Sequence, residues 1–442
     1  MSANLVTGLW CSLGLLGLIA LRIPVAIAML MTAVTGIFWV QGSFAAWFQL
    51  AGASLNATTY GLSVIPLFIL MGNLAAQAGL SRDLFLLASR WMARVPGGLA
   101  VAAIFASAGF STLSGSSLAT AAAVGRISMG EMLQRQYSPA LASGSIVAGG
   151  TIGILIPPSV MLVVYGLMTE QSIRALFAAG VLPGIVLTLM FMATVLVWAR
   201  LRPQSVGQGT NQDWVQETAA LDEVPQAVIP KAGLISLVAL VVLVLGGLYG
   251  GFFTATESAA VGAVGTLVIA RLRGGLDAKL LSQALIETAR TSAMIFLIII
   301  GSALYATFLS VTGISGALKA LVQGLGVAPL VVLVLILAIY IVLGCFMDSM
   351  GMLLLTIPVF FPLIVQLGID PVLFGVLVVM VVEVGLMTPP LGMNIFVVRS
   401  VAPQVPLQTM FVGALPFVLA FVFAIAAVIL WPGLALWLPG LM

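Results

Sequence analysis

Nine oxygen-bearing side chains stand at or near interruptions in long, largely apolar segments. Ser114, Ser116, Ser117, Thr120 and Thr151 fall in one region, and Asp348, Ser349, Glu383 and Thr388 in another. Hydroxyls, carboxylates and unwound backbone carbonyls suit a small hard cation. Helix N-termini, with unpaired N–H groups and about half a positive charge, suit a carboxylate. Both kinds of group are expected here, because each region is interrupted by a Pro-Pro pair. Proline removes a donor and clashes with the preceding turn, so two in succession end a helix. Pro139, Gly153, Pro157, Pro158 and Met161 recur as Pro371, Gly385, Pro389, Pro390 and Met393, always 232 residues later. Ser116 to Pro157 and Asp348 to Pro389 are both 41 residues, so the repeat reaches back to the polar tips.

A membrane tolerates broken helices only where protein or a water-filled cavity satisfies the freed backbone. Interrupted segments at matching positions in two halves mark a secondary transporter with its site at the breaks. Composition agrees: 62% of the 442 residues are hydrophobic and 7% are charged, against about 25% charged in ordinary soluble domains. The chain has no histidine, which excludes imidazole metal sites and histidine proton relays. It has no Gly-Lys dipeptide, so it contains no Walker A loop. The net charge of +3 gives no reason to expect nucleic acid.

The two carboxylates admit two readings. A charge at the bilayer centre costs about 2.5–3.5 kcal/mol on insertion scales, so Asp348 and Glu383 must face protein, water or a cation. Each either coordinates a cation or caps freed N–H groups. Glu257 reads as an N-terminal helix charge, Arg126 and Glu131 as a solvated helix end, and Arg399 as a topology anchor. Cys11 and Cys345 read as small buried hydrophobes with no disulfide between them.

The elements that must position these residues follow from hydropathy. Spans are expected near 5–21, 24–40, 62–80, 139–168, 173–199, 232–250, 255–270, 290–311, 371–398 and 408–431, the first as an uncleaved helix. Region 41–61 reads as an interfacial helix. Segments 98–136 and 329–367 are too long for one span and too short for two, with polar midpoints at Ser114–Ser117 and Met347–Gly351. Each reads as a re-entrant hairpin. The fold class is therefore all-α and polytopic, with two inverted repeats, each holding a re-entrant hairpin and a broken helix. Threading from outside places fourteen of the sixteen basic residues on the cytoplasmic side. Only Arg174 and Lys319 remain outside, as the positive-inside bias requires. Both termini then lie outside, and 203–230 is a cytoplasmic linker solvated by Asp213, Glu217, Asp222 and Glu223.

Further segments carry a family resemblance: Leu21-Arg22-Ile23-Pro24, Gly115-Ser116-Ser117 with Ala119-Thr120, and Gly153-Ile154-Leu155-Ile156-Pro157-Pro158-Ser159. Phe253-Thr254-Ala255-Thr256-Glu257, Leu367-Gly368-Ile369-Asp370-Pro371 and Glu383-Val384-Gly385 with Thr388-Pro389-Pro390 complete the set. The chain resembles the large membrane subunit, DctM or SiaM type, of tripartite ATP-independent periplasmic (TRAP) transporters. It departs from the family pattern at Leu118, Ala255 and Val381, where proline, proline and asparagine are usual.

The resemblance implies an elevator-type fold of the ion-transporter superfamily in the bacterial inner membrane. Hairpins and broken helices (98–168 and 329–400) would form a mobile transport domain. Residues 1–97 and 231–328 would be scaffold, with 169–202 closing the first half and 401–442 the C-terminal helix. The partners implied are a small four-helix membrane subunit and a periplasmic substrate-binding protein. The substrate implied is an organic anion such as a C4-dicarboxylate, sialic acid or sugar acid. Sodium is the implied coupling ion, with no organic cofactor. One sodium would lie among Ser114, Gly115, Ser116, Gly150 and Gly153, the other among Asp348, Ser349, Gly385 and Thr388. Candidate substrate contacts are Ser116, Ser117, Thr120, Pro158, Ser159, Asp348, Pro390 and Asn394. Two other readings share some of these features: a stand-alone sodium/anion symporter of the same superfamily, and an intramembrane enzyme using Asp348 and Glu383.

Overall fold

The computed structural model describes residues 3–56, 59–207, 231–273, 277–324 and 326–442. The linker acids at 213, 217, 222 and 223 lie outside the described residues. Eight described helical segments are long and apolar enough to cross a membrane, and five shorter apolar helices accompany them.

The N-terminal helices are α1 (Ala3–Ala20), α2 (Val25–Gln41), α3 (Ser43–Asn56), α4 (Val64–Gln77) and α5 (Leu80–Trp91). The expected helix in 41–61 is α3, which exposes Phe44, Trp47 and Phe48. Helix α5 was not anticipated. Its arginines and Asp83 hide the signal from a hydropathy reading, yet Leu80, Leu84 and Phe85 are buried along one side.

The first hairpin is α6 (Gly98–Ser114) and α7 (Ser117–Gln134). Gly115 makes the reversal at φ +55°, a left-handed conformation that glycine adopts without strain. Helix α8 (Pro139–Leu155) starts with proline in its first turn and is capped by Ser138, whose Oγ accepts from Leu141 N at 3.2 Å. It stops at the Pro157-Pro158 pair, and α9 (Val160–Thr169) restarts after Ser159, which accepts from Leu162 N at 3.3 Å. Helix α10 (Ile173–Leu201) follows.

The second half begins with α11, from Lys231–Val241 through a π-helical stretch Val242–Gly246 to Gly247–Tyr249. Next come α12 (Ala255–Leu272), α13 (Ala278–Thr312) and α14 (Ile314–Gly324). Helix α13 starts twelve residues before the expected 290. Its 35 residues span roughly 52 Å at 1.5 Å each, more than the ~30 Å hydrocarbon core, and its first turns carry Lys279, Glu287 and Arg290. Hydropathy detects only the apolar part.

The second hairpin is α15 (Pro329–Gly344) and α16 (Ser349–Gln366). Helix α17 (Pro371–Met387) is capped by Asp370, which accepts from Val372 N at 2.8 Å and Leu373 N at 3.0 Å. The second break leads to α18 (Met393–Val401), then α19 (Leu407–Leu430) and α20 (Gly433–Leu436). Both Pro-Pro bonds are cis. The sequence repeat is thus a repeat of helix ends. Ser138 and Asp370 cap equivalent helices, as do Ser116 and Asp348, each pair 232 residues apart.

The two broken helices form the centre. Every residue from Leu141 to Leu155 and from Leu373 to Met387 is buried. Helix α8 packs on α6, α7, α10 and α19, and α17 packs on α15, α16 and α19. Close crossings use glycine. A Cβ on Gly144 would meet Gly413 O at 2.2 Å, and one on Gly413 would meet Ala140 O at 2.0 Å. Helices α1–α4 and α12–α14 lie outside this core, with α13 packed along α2 and α4.

Candidate functional site

The first hairpin tip rests on the first break. Gly115 O accepts from Val160 N at 3.4 Å, and a Cβ on Gly115 would come within 2.8 Å of Pro158 O. A Cβ on Gly153 would lie 2.7 Å from Thr120 Oγ1 and 2.9 Å from Ser116 O. A Cβ on Gly150 would lie 2.7 Å from Ala121 Cβ and 3.3 Å from Ser117 O. Each of these glycines lets another chain segment approach its backbone. Ser114 and Thr120 share a hydrogen bond of 2.6 Å between their hydroxyls, and Ser116 Oγ caps α7 by accepting from Ala119 N at 3.4 Å. Ser114, Gly115, Ser116, Thr120, Gly150, Gly153 and Pro158 are therefore gathered in one place. Ser159 is buried beside them and caps α9. The N-termini of α7 and α9 adjoin at this point, the polarity that favours an anion. Thr151 turns away and donates to Ala148 O of its own helix at 2.7 Å.

The second tip meets the second break through different residues. Helices α15 and α17 cross where a Cβ on Gly385 would lie 2.6 Å from Gly344 Cα. Thr388 Oγ1 lies 3.0 Å from Gly385 O and 3.1 Å from Cys345 Sγ. Cys345, expected to be an inert hydrophobe, thus takes part in a polar contact. Asp348 is half-buried and accepts from Gly351 N at 2.9 Å, capping α16. Ser349 is half-buried beside it. At this tip Gly344 and Cys345 meet the break. Pro389 and Pro390 are exposed, whereas Pro157 and Pro158 are buried.

One network joins the halves. Ser117 Oγ donates to Asn394 Oδ1 at 2.9 Å, Asn394 Nδ2 lies 2.7 Å from Ser117 Oγ, and Asn394 Nδ2 donates to Glu383 Oε2 at 3.4 Å. All three side chains are fully buried. Sequence reasoning found these residues singly but missed their association, since 277 positions separate Ser117 from Asn394. Tyr165 adds a second tie, its hydroxyl donating to Pro371 O at 2.6 Å.

Several side chains do structural work. Glu257 Oε2 accepts from Thr254 N at 2.8 Å and Thr254 Oγ1 accepts from Glu257 N at 3.3 Å, a reciprocal cap of α12. Arg135 pairs with Glu131 at 3.8 Å, Arg126 Nε donates to Ala122 O at 3.2 Å, and Arg399 donates to Val405 O.

The sequence profile described as "Tripartite ATP-independent periplasmic transporter, DctM component" matches residues 13–434. The C4-dicarboxylate TRAP transporter large permease protein DctM of Pseudomonas aeruginosa is 35% identical over 384 residues, 86% of each chain. The sialic acid TRAP transporter large permease protein SiaM of Vibrio cholerae is 30% identical over 97% of each chain. Among solved structures, the Alcanivorax borkumensis YdaH transporter superposes with a TM-score of 0.64 over 89% of both chains at 16% identity, a likeness of fold. The match along nearly the whole chain identifies a multi-pass membrane protein and a transporter permease rather than an enzyme: the chain belongs to the DctM family of TRAP transporter large permease subunits.

Proposed function

We propose that this subunit carries out sodium-coupled uptake of an organic anion delivered by a periplasmic binding protein, in complex with a small four-helix membrane subunit. The observation that carries the reading is the seating of the first hairpin tip on the first break. Two helix N-termini adjoin there, beside the hydroxyls of Ser114 and Thr120 and the carbonyl of Ser116. The termini suit a carboxylate; the hydroxyls and carbonyl suit sodium. The relatives' names point to C4-dicarboxylates and sialic acids as the substrate class. We take the helices around the two breaks as the moving body of an elevator and the outer helices as its frame.

The inverted topology is part of the proposal. Contacts within the fold agree with the charge-based threading. Asp83 pairs with Arg273, and Tyr137 bridges Val206, each pair threading to the cytoplasmic side. Arg174 donates to Tyr249 O at 2.5 Å, and both thread to the outside.

The test is uptake into proteoliposomes containing both membrane subunits, with the binding protein and its ligand outside. Uptake should follow an inward sodium gradient and require the binding protein. Ser116→Ala and Thr388→Ala should each raise the sodium concentration at half-maximal rate several-fold. Equal uptake in potassium or choline rejects sodium coupling. Full-rate uptake without the binding protein reassigns the chain to the stand-alone symporters.

A further inference from the structure

Helices α10 and α19 do not close against each other along their outer faces. They leave a groove of about 660 Å³. Ala140, Ala193 and Ala420 contribute only methyl groups to it, while exposed Val197 on one side and Leu415 and Phe423 on the other raise its walls. Arg202 lines one end.

We propose that this groove is a binding site for one anionic phospholipid, with an acyl chain between α10 and α19 and the headgroup phosphate on Arg202. Three observations select that occupant. The lining is almost wholly apolar, as an acyl chain requires. The lining of α10 runs from Met190 to Arg202, roughly 18 Å at 1.5 Å per residue, close to one leaflet of a ~30 Å hydrocarbon core. A partner's transmembrane helix would need the full thickness; a lipid needs half. The one cation of the lining, Arg202, sits at the end of the α10 stretch, where a phosphate would lie. Assigning that end to the inner leaflet rests on the threading above; the site itself does not. Because α10 and α19 both pack on α8, a lipid held here would be attached to the helices carrying the first break.

The test reconstitutes the complex of both membrane subunits in vesicles of equal parts phosphatidylglycerol and phosphatidylethanolamine. The complex is then extracted in mild detergent and the retained lipid quantified. Phosphatidylglycerol should be enriched. Arg202→Gln should lower the enrichment about fivefold, since one arginine near an anionic surface is worth ~1 kcal/mol. Ala193→Trp, at an exposed position, should displace the lipid while leaving size-exclusion behaviour unchanged. Excess inorganic phosphate should not compete, because it lacks the acyl chain. A photoreactive residue replacing Thr194 should cross-link to lipid. Unchanged enrichment in both variants, or cross-linking to the small subunit or to a second copy of the chain, overturns the proposal.

Discussion

Asn394 links two other fully buried polar side chains. It serves Ser117 on one side and Glu383 on the other, while Glu383 Oε1 has no hydrogen-bond partner among the described residues. A buried polar group that loses its partner costs about 1–3 kcal/mol. Asn394→Ala should therefore destabilise the purified subunit by that amount, read from thermal unfolding in detergent. Ser117→Ala should cost less, because Asn394 would keep Glu383. The double variant should be non-additive by about 0.5–3 kcal/mol, as expected for side chains in one network. Additive costs would show that the cross-half contact contributes nothing. The sequence made each oxygen visible, because a polar residue in an apolar run is conspicuous. It could not show that Asn394 answers Ser117, because no local rule relates residues on different helices of different halves.

At the scale of elements, the crossing of helices α15 and α17 depends on two hydrogens. A methyl on Gly385 would meet the Gly344 backbone at 2.6 Å, and backbone cannot swing aside as a side chain can. Gly385→Ala should force the helices apart and destabilise by about 1–3 kcal/mol, typical of overpacking. Transport should suffer more than expression. Gly14→Ala is the control: it lies in α1 with nothing within 4 Å of the added carbon, and it should be neutral or stabilising by up to ~1 kcal/mol. Equal thermal stability of the two variants would remove the crossing as a constraint. Element ends were legible where chemistry is local. Proline at the first turn of α8 and α17, and the Pro-Pro stops, give the same boundaries in sequence and structure. Helices α5 and the start of α13 were not legible, because their charges mask them from hydropathy while their buried sides still pack.

For the whole molecule, the proposed topology predicts accessibility from each side of the membrane. Single cysteines at the exposed positions 203 and 204 in a cysteine-free background should react only with reagents that reach the cytoplasm. Cysteines at 313–324 should react from outside. The reverse pattern would undo the inverted arrangement, and with it the case for alternating access about the breaks. Helix α14 strengthens the second half of this test. It was not expected from sequence, yet it buries none of its residues in this chain, so labelling there reports sidedness rather than core packing.

The sequence by itself determined the class of the protein, the repeat and the positions of the breaks. These rest on composition, on proline's missing donor and on a constant offset, all properties of the chain as a string. It also marked the polar residues, since their cost in an apolar setting does not depend on the fold. Tertiary structure decided which of them meet. Gly153 admits Thr120, Gly385 admits Gly344, Cys345 reaches Thr388, and Asn394 bridges Ser117 to Glu383. The physical reason is that the helices leading into the breaks, α8 and α17, are buried on every side. Without an exposed face there is no periodicity to say which neighbour each residue has, and only the packing of the helices around them supplies it.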